Sequence, residues 1–355
     1  MKVHNFNAGP AILPAPVISQ AAQAVTEFNG LGMSLLEISH RSKDFQAVVD
    51  EATALVKEIA GLDDSYKVLF LQGGASTQFG MVPMNLLDAS ETAGYCNTGT
   101  WAKKAQKEAK QFGNVLELAT SEPDNFTFIP KGYQIPDNLK YFHITSNNTI
   151  YGTQYHAYPK SPVPYIIDMS SDIFSRNCDF SQFDLIYAGA QKNIGSSGVT
   201  VVILKESLLG KVNRTIPTMM DYRTHIKENS LFNTPPVFSI YVTMLTLRWI
   251  KEQGLNTIES VNRSKAELLY NAIDSNPLFK GTVAKEDRSW MNVNFIMENR
   301  DLEPEFLAFA KANNCVGLAG HRSVGGMRAS LYNALGLDSV QHLVNLMNEF
   351  AAKKG

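Results

Sequence analysis

Short apolar runs alternate with stretches of helical periodicity through much of the 355-residue chain, and this alternation constrains the fold more than any other feature. Residues 45–59 place apolar side chains at helical spacing and stop before Gly61, as a helix followed by glycine does. The apolar runs lie at 68–71, 141–144, 165–167, 185–187 and 199–204. Runs that are apolar on both faces suit strands covered by helices on each side, so the sequence predicts an α/β domain with a mostly parallel sheet.

The last third of the chain has a different pattern. Apolar residues at 291, 293, 295 and 297 alternate with Asn292 and Asn294, which predicts a strand that buries one face. Helices are predicted near Glu303 and after Ser339, and two further helical stretches, 239–250 and 257–273, flank Gly254. We therefore expect a large α/β domain at 1–256 and a smaller α+β domain at 257–355. Residues 1–15 are interpreted as an N-terminal arm that could pack on the small domain.

Charge and cysteine content exclude several classes of protein. Lys and Arg number 32 against 34 Asp and Glu, and no run of like charges forms a patch for nucleic acid or a membrane surface. The cysteines, Cys96, Cys178 and Cys315, lack a C-x-x-C pair and metal-ligand spacing, so we expect free thiols and no metal site. Neither a secretory signal nor an apolar stretch of about 18 residues is present. We expect a cytoplasmic protein that acts on a small molecule.

A turn of small residues, Gly73-Gly74-Ala75-Ser76-Thr77, follows the first predicted strand and opens a helix. Backbone N–H groups at such a helix start, with the hydroxyl of Ser76 or Thr77, form a cradle for a phosphate group. Strand-to-helix turns also use glycine for backbone reasons alone, and that alternative stays open. The glycine patterns of the nucleotide P-loop and of dinucleotide-binding proteins are absent here.

Asp168 ends the apolar run at 165–167, and the carboxyl ends of strands are where open α/β sheets bind ligands. One interpretation is that its carboxylate only caps the turn at Ser170 and Ser171. The other is that it keeps a pyridine nitrogen protonated, as pyridoxal chemistry requires. The residue alone does not separate the two.

Lys192 lies between two apolar runs, flanked by small residues in the segment 187–198. A surface lysine in a hairpin is one interpretation. Small neighbours also leave room for a bulky ligand, and a lysine withdrawn from water can lose its proton and become a nucleophile for a carbonyl group. Lys192 follows Asp168 by 24 residues, which leaves room for one intervening strand. Both side chains can therefore face one pocket.

These segments are similar to motifs of the class V aminotransferases, and most closely to those of members that act on phosphoserine. Further matching segments are 5–11, 32–34, 39–42, 73–79, 99–102, 233–236 and 320–330. The resemblance extends from residue 5 to residue 335 and keeps the motifs in order. It implies the fold type I architecture of pyridoxal-phosphate enzymes such as aspartate aminotransferase, with a large mostly parallel-sheet domain and a smaller α+β C-terminal domain.

The resemblance also implies roles around a pyridoxal 5′-phosphate cofactor. Lys192 would bind the cofactor covalently and then move a proton between the substrate Cα and the cofactor's C4′. Asp168 would pair with the pyridine nitrogen, Trp101 would stack on the ring, and Thr149 would lie near the phenolic oxygen.

Contacts to the cofactor's phosphate are implied for Ala75, Ser76 and Gln191, with Asn233 and Thr234 supplied by the partner subunit of a homodimer. The family often has Gly and Arg at positions 75–77, whereas this chain has Ala, Ser and Thr. Backbone N–H contacts survive that departure, and the part played by the Ser76 hydroxyl stays open.

Substrate recognition follows from the same resemblance. The implied reaction moves an amino group between glutamate and 3-phosphohydroxypyruvate, giving phosphoserine and 2-oxoglutarate in serine biosynthesis. Arginine suits carboxylates and phosphates because its N–H groups bind them in pairs. Arg328 matches the residue for the α-carboxylate, and the distal cluster is expected to assemble across the dimer interface from His40, Arg41, His321 and Arg322. The family also has members that serve pyridoxine synthesis through 4-phosphohydroxythreonine.

Three alternatives were weighed. Cysteine desulfuration on the same scaffold needs a reactive loop cysteine, and the neighbours of Cys315 offer no cation to lower its pKa. A non-catalytic ligand-binding protein on this fold would be favoured by loss of the lysine, but Lys192 and Asp168 are both present. A nicotinamide dehydrogenase is disfavoured by the missing glycine pattern.

Overall fold

A computed structural model of the chain describes residues 2–354. Its α-helices are α1 (Ala15–Thr26), α2 (Lys43–Ala60), α3 (Gly74–Leu86), α4 (Thr100–Ala109), α5 (Tyr222–Lys227), α6 (Val237–Gln253), α7 (Leu255–Ser275), α8 (Glu303–Ala312) and α9 (Leu337–Lys354). Its strands are β1 (His4–Asn5), β2 (Tyr66–Leu71), β3 (Thr92–Asn97), β4 (Asn114–Thr120), β5 (Phe142–Thr145), β6 (Tyr165–Asp168), β7 (Leu185–Gly189), β8 (Thr200–Lys205), β9 (Phe279–Gly281), β10 (Asn292–Met297), β11 (Cys315–Val316) and β12 (Met327–Ser330).

The central sheet has seven strands in the order β2-β8-β7-β6-β5-β3-β4. The pairs from β4 through β3, β5 and β6 to β7 are parallel, and only β8 runs against its neighbours β2 and β7. Successive side chains of β2 point to opposite cores: Val68 and Phe70 pack toward α2 and α6, whereas Leu69 and Leu71 pack toward α3. Helices therefore cover both faces, and the prediction of a mostly parallel α/β sheet is confirmed.

Local signals explain why the predicted elements form where they do. Helix α2 begins after Ser42, whose hydroxyl accepts a hydrogen bond from the Phe45 N–H, as an N-cap serine does. It ends at Gly61, which has a φ of 63° that a side chain would disfavour. The predicted strand at 165–167 is β6, and the helical stretches around Gly254 are α6 and α7.

The interpretation of β10 as a strand with one buried face is wrong. Asn292 and Asn294, which the alternation assigned to solvent, are both buried. The amide of Asn292 donates to Ser330 Oγ at 3.0 Å and its Oδ1 accepts from Asn147, while the amide of Asn294 donates to the carbonyl of Ile150. Polar side chains line a buried face here because each finds a partner there.

Strands β12, β10 and β9 form a second, antiparallel sheet, and its core includes side chains from α7, α8 and α9. Phe6, from the start of the chain, is buried in that same core. Strand β1 pairs in parallel with β11, so the first residues lie against the C-terminal region. The division of the chain at residue 256 stays a prediction.

None of the helices within residues 2–354 is long and apolar enough to cross a membrane. Over that same range, no group of three or more His, Cys, Asp and Glu side chains is arranged to hold a metal ion.

Candidate active site

The carboxyl ends of β6 and β7 meet at one edge of the central sheet and bring Asp168 and Lys192 into one pocket. Asp168 is the last residue of β6 and lies opposite Tyr187 of β7. The Met169 N–H donates to the carbonyl of Tyr187 at 2.9 Å, which holds the two strand ends together. Lys192 follows in the turn that joins β7 to the antiparallel β8. This is the edge at which parallel α/β sheets bind ligands.

The Lys192 amine is held inside this pocket. Its Nζ donates to Thr149 Oγ1 at 2.7 Å and lies 5.8 Å from the centroid of the Trp101 ring. Burial lowers the pKa of Lys192 to about 8, while the nearby carboxylate of Asp168 opposes that fall. The alternative of a free surface lysine in a hairpin is therefore wrong, because the side chain turns inward from its hairpin.

Asp168 is 4% exposed and its surroundings satisfy both interpretations of its role. Its Oδ1 accepts the Ser170 N–H at 2.9 Å, which is the turn cap. Burial raises the pKa of Asp168 above its ordinary value, and the positive charge of Lys192 acts in the opposite direction. A buried carboxylate of this kind gains from a cationic partner such as a protonated ring nitrogen.

Arg328 reaches the same pocket from β12. Its Nη1 donates to the carbonyl of Thr149 at 3.0 Å, so one residue receives hydrogen bonds from both Lys192 and Arg328. The Arg328 Nε is buried and has no hydrogen-bond partner within residues 2–354. Burial lowers the pKa of Arg328. Part of this guanidinium is thus available to an anion.

The start of α3 has the form of a phosphate cradle. Gly73 precedes the helix with a φ of 90°, and a Cβ there would meet Thr77 Oγ1 at 1.8 Å, so only glycine fits. No side chain caps this helix. The first N–H groups of a helix have no partner within the helix, so those of Ala75 and Ser76 are free to meet an anion.

Asn233, Thr234 and Gln191, also predicted to contact the cofactor's phosphate, lie near Gly73 or Lys192. The Asn233 amide donates to Gln72 Oε1 at 3.0 Å, next to Gly73, and Thr234 beside it is exposed. Gln191 adjoins Lys192, and its carbonyl accepts the Ala11 N–H at 2.9 Å. The start of the chain thus packs on the lysine turn.

The residues predicted for the distal cluster lie in two segments of the chain, 40–41 and 321–322. His321 and Arg322 lie in the turn before β12, where burial lowers the pKa of His321 and the positive charges of Arg328 and Arg322 lower it further. His40 and Arg41 lie just before α2. Within residues 2–354, no hydrogen bond or ion pair joins His40 or Arg41 to Lys192, Asp168 or Arg328.

Comparison with known proteins identifies the family of this chain. The family model described as aminotransferase class-V matches residues 3–343. The chain belongs to the class-V aminotransferases. The phosphoserine aminotransferase of Flavobacterium johnsoniae is 56% identical, over 99% of this chain and 100% of the relative. That of Bacteroides fragilis is 57% identical, over 99% of both chains.

Solved structures agree with this assignment. The phosphoserine aminotransferase from Bacillus circulans subsp. alkalophilus superposes with a TM-score of 0.97 at 48% identity, over 100% of this chain and 99% of that one. The pyridoxal-phosphate-bound enzyme from Trichomonas vaginalis gives a TM-score of 0.93 at 36% identity, over 98% of this chain and 100% of that one. The predicted fold type I architecture is confirmed.

Two residues that adjoin predicted site residues were not marked by the sequence. Lys104 lies with its Nζ 4.6 Å from the Trp101 ring centroid. Its spacing of three residues from Trp101 on a predicted helix was a signal that could have been used. Asp172 is buried four residues after Asp168. In the sequence it is one more polar residue of a serine-rich turn, and nothing local marks it.

The desulfuration alternative finds no support in the geometry. Cys315 is a buried residue of β11, and burial raises its pKa to about 11. Burial also raises the pKa of Cys96 to about 11 and that of Cys178 to about 12. Reactive cysteines need the opposite shift, because the thiolate is the nucleophile.

Proposed function

We propose that this chain catalyses the reversible transfer of an amino group between L-glutamate and 3-phosphohydroxypyruvate, with pyridoxal 5′-phosphate as cofactor. The products are O-phospho-L-serine and 2-oxoglutarate, a step of serine biosynthesis. The observation that carries the proposal is the meeting of Lys192 and Asp168 at one sheet edge. Relatives of this name that match over nearly the whole chain support the choice of substrate.

The residues of the pocket fit pyridoxal phosphate. Asp168 offers a buried carboxylate for a ring nitrogen, and the uncapped start of α3 offers N–H groups for a phosphate. Trp101 offers an aromatic face, and its buried Nε1 has no hydrogen-bond partner within residues 2–354. Pyridoxal phosphate, when bound, supplies a sink for the electron pair released as the substrate Cα loses its proton.

Lys192 is proposed as the residue that would move a proton between the substrate Cα and the cofactor. A pKa of about 8 leaves part of the Lys192 population neutral near pH 7, and an acid–base group works best when its pKa lies close to the operating pH. The Thr149 hydroxyl, 2.7 Å from Nζ, sets the direction of the amine. Asp168 would hold the ring nitrogen of the cofactor in its protonated form, because a carboxylate favours the charged form of a nearby base.

Uncompensated positive charge supports an anionic substrate. Every arginine ion pair within residues 2–354 involves other positions, so Arg41, Arg322 and Arg328 face no carboxylate there. We assign Arg328 to the substrate α-carboxylate, since it lies beside Thr149 and Lys192. His321 and Arg322 would take the phosphate of one substrate or the second carboxylate of the other.

A homodimer completes this proposal. His40 and Arg41, which form no hydrogen bond or ion pair with Lys192, Asp168 or Arg328 within residues 2–354, would come from the partner subunit, together with Asn233 and Thr234. A cytoplasmic location, the division into domains 1–256 and 257–355, and an additional activity on 4-phosphohydroxythreonine are parts of the same proposal.

Reductive labelling tests the cofactor assignment. Purified protein incubated with pyridoxal phosphate should absorb in the visible range, and borohydride followed by peptide mapping should place the label on Lys192. The control is Lys205, which lies at the end of β8 and pairs with Asp184 at 2.9 Å. A label elsewhere, or no chromophore, would refute the assignment.

A comparison of acceptors tests the substrate. With glutamate as donor, 3-phosphohydroxypyruvate should react with a kcat/KM about 10²-fold or more above that of hydroxypyruvate, because a bound phosphate adds charge-assisted hydrogen bonds. Arg322→Gln should shrink that ratio, while Arg263→Gln, which removes an arginine of α7 paired with Glu259, should leave it unchanged. Equal rates on the two acceptors would sink the phosphate site.

A further inference from the structure

We propose that Asp172 is a positioning residue of this site, which fixes the structure behind Asp168 and contributes a second negative charge to the surroundings of Lys192. The inference rests on the proposed function and adds to it a residue that the motifs did not mark. It is carried by a cluster of buried polar groups that joins the ends of β5 and β6 to the segment before β10.

The hydrogen bonds of Asp172 tie it to the backbone of Asp168. Asp172 is 2% exposed and its Oδ1 accepts the hydroxyl of Ser146. The same hydroxyl lies 3.0 Å from the carbonyl of Asp168, which also accepts the Ser146 N–H at 2.9 Å. Ser146 follows directly after β5. Ser146 therefore links the ends of β5 and β6 at Asp168, the residue that would bind the cofactor's ring nitrogen.

The other carboxylate oxygen connects the site to the second sheet. Asp172 Oδ2 accepts the Gln154 amide at 3.0 Å, and Gln154 Oε1 accepts the Trp290 N–H at 3.0 Å. Trp290 lies two residues before β10, which pairs with the strand that carries Arg328. Gln154 is fully buried. Asp172 is thus joined on one side to Ser146, whose N–H binds the Asp168 carbonyl, and on the other side through Gln154 to the segment before β10.

Hydrogen bonding alone does not require a charge at position 172. Ser146 and Gln154 are neutral donors, and burying a carboxylate is costly unless a positive charge compensates it. Arg176 is the nearest cation, but its Nη2 lies 3.9 Å away, beyond a hydrogen bond. Its N–H groups are directed to the carbonyl of Tyr155 and to Tyr158 Oη. Burial therefore raises the pKa of Asp172 above its ordinary value, the positive charge of Arg176 opposes that rise, and the ionised carboxylate is the charge that we propose.

That charge acts on Lys192. The charged groups that face Lys192 are Asp168 and Asp172, which favour its protonated form, and Arg328, which opposes it. Besides Arg176 and Lys192, Asp172 faces Asp168 and the hydroxyl groups of Tyr158 and Tyr332. Two carboxylates against one arginine explain how an amine so far withdrawn from water keeps a pKa no lower than about 8.

The test is a pH titration of the cofactor chromophore in the holoenzymes of wild type and Asp172→Asn. The neutral amide keeps the shape of the side chain but removes a negative charge, so the titration midpoint should move to lower pH by about half a unit. Competitive acetylation of Lys192 in the cofactor-free chain, quantified by mass spectrometry, should show the same direction of change.

A matched control separates the effect of the lost charge at position 172 from a general disturbance of the fold. Asp184→Asn makes the same change at the opposite end of β7, where Asp184 accepts the Tyr165 N–H and pairs with Lys205, and it should leave the midpoint in place. Asp172→Glu keeps the charge and should lie nearer to wild type than Asp172→Asn. If Asp172→Asn does not fold, Asp172→Ser, which admits a water to satisfy Ser146 and Gln154, replaces it.

The outcomes distinguish this inference from the function on which it rests. A wild-type chain that forms no chromophore would remove the proposed function itself. A chromophore whose midpoint is the same in wild type and in Asp172→Asn would overturn the inference and leave the function standing. A shift to lower pH in Asp172→Asn with none in Asp184→Asn would support it.

Discussion

Two lysines of this chain, the half-buried Lys192 and the buried Lys265, differ in what surrounds the amine. Burial lowers the pKa of both, to about 8 for Lys192 and to about 7 for Lys265 in α7. Lys265 is fully buried and its Nζ donates to three backbone carbonyls, those of Leu331 at 2.8 Å, Tyr332 at 2.9 Å and Leu335 at 3.0 Å. Within residues 2–354 the Lys192 Nζ has one hydrogen bond, to the side-chain hydroxyl of Thr149.

The difference shows that a lowered pKa does not by itself identify a nucleophile. The three acceptors around Lys265 match the three donors of an ammonium group, so they favour its charged form and leave no direction for a ligand to approach. Lys192 keeps donors free and faces carboxylates on a strand edge. The contacts of Lys265 stabilise the fold, whereas those of Lys192 leave its amine able to react with a ligand.

Removing Lys192 should have the largest effect. Lys192→Ala is expected to lower kcat by about 10³-fold or more, because no other group moves the proton between substrate and cofactor. The free energy of unfolding should change by less than about 1 kcal/mol, since the amine has one hydrogen bond. Steady-state kinetics and urea unfolding measure the two quantities. A variant that keeps a tenth of the wild-type kcat would show that another base serves the site.

Removing the Lys265 amine should instead affect stability. Lys265→Met leaves three buried carbonyls without a donor and should lower the free energy of unfolding by about 3 kcal/mol, roughly a hundredfold in the equilibrium. Lys251→Met, at an exposed lysine that pairs with Glu58, should cost less than about 1 kcal/mol. Among folded molecules kcat should stay within a few-fold of wild type. A collapse of kcat without loss of stability would break the distinction between the two lysines.

The pH dependence of acetylation should distinguish them more finely. Only the neutral amine reacts, so the rate at Lys192 in the cofactor-free chain should rise about tenfold per pH unit up to its pKa of about 8 and then level off. Exposed lysines should continue to rise to a pKa of about 10.4. Lys265 should stay unmodified, because the reagent cannot reach it. Modification of Lys265 at the rate of Lys192 would contradict the assignment of its donors.

Elements with local signals could be predicted from sequence. Helix α2 has apolar residues at helical spacing and a glycine stop, and β6 is a short run apolar on both faces, so both were located within a few residues. The prediction that the asparagines of β10 face solvent was wrong, because they form hydrogen bonds with residues far away in sequence, such as Asn147. Lys265 was missed for the same reason, since its three carbonyl partners lie more than sixty positions further along.

The site residues also fall into two groups, those that local sequence patterns could predict and those that they could not. Asp168 and Lys192 could be brought together from sequence, because the ends of neighbouring parallel strands share one edge. Asp172 could not, because its importance depends on Gln154 and Ser146, which other segments supply. His40 and Arg41 were assigned by resemblance alone, and their place beside a substrate stays a prediction.

The contacts of the first residues also set an order in time. Ala8 accepts a hydrogen bond from Tyr332, a residue 324 positions away, and His4 and Asn5 pair with Cys315 and Val316. At about 5–20 residues per second, the ribosome needs roughly 15 to 65 seconds to reach these partners after making the first residues. The last strand of the central sheet ends at Lys205, far earlier in synthesis. A growing chain can therefore carry Lys192 on a finished sheet well before it carries the arginine that would hold a substrate.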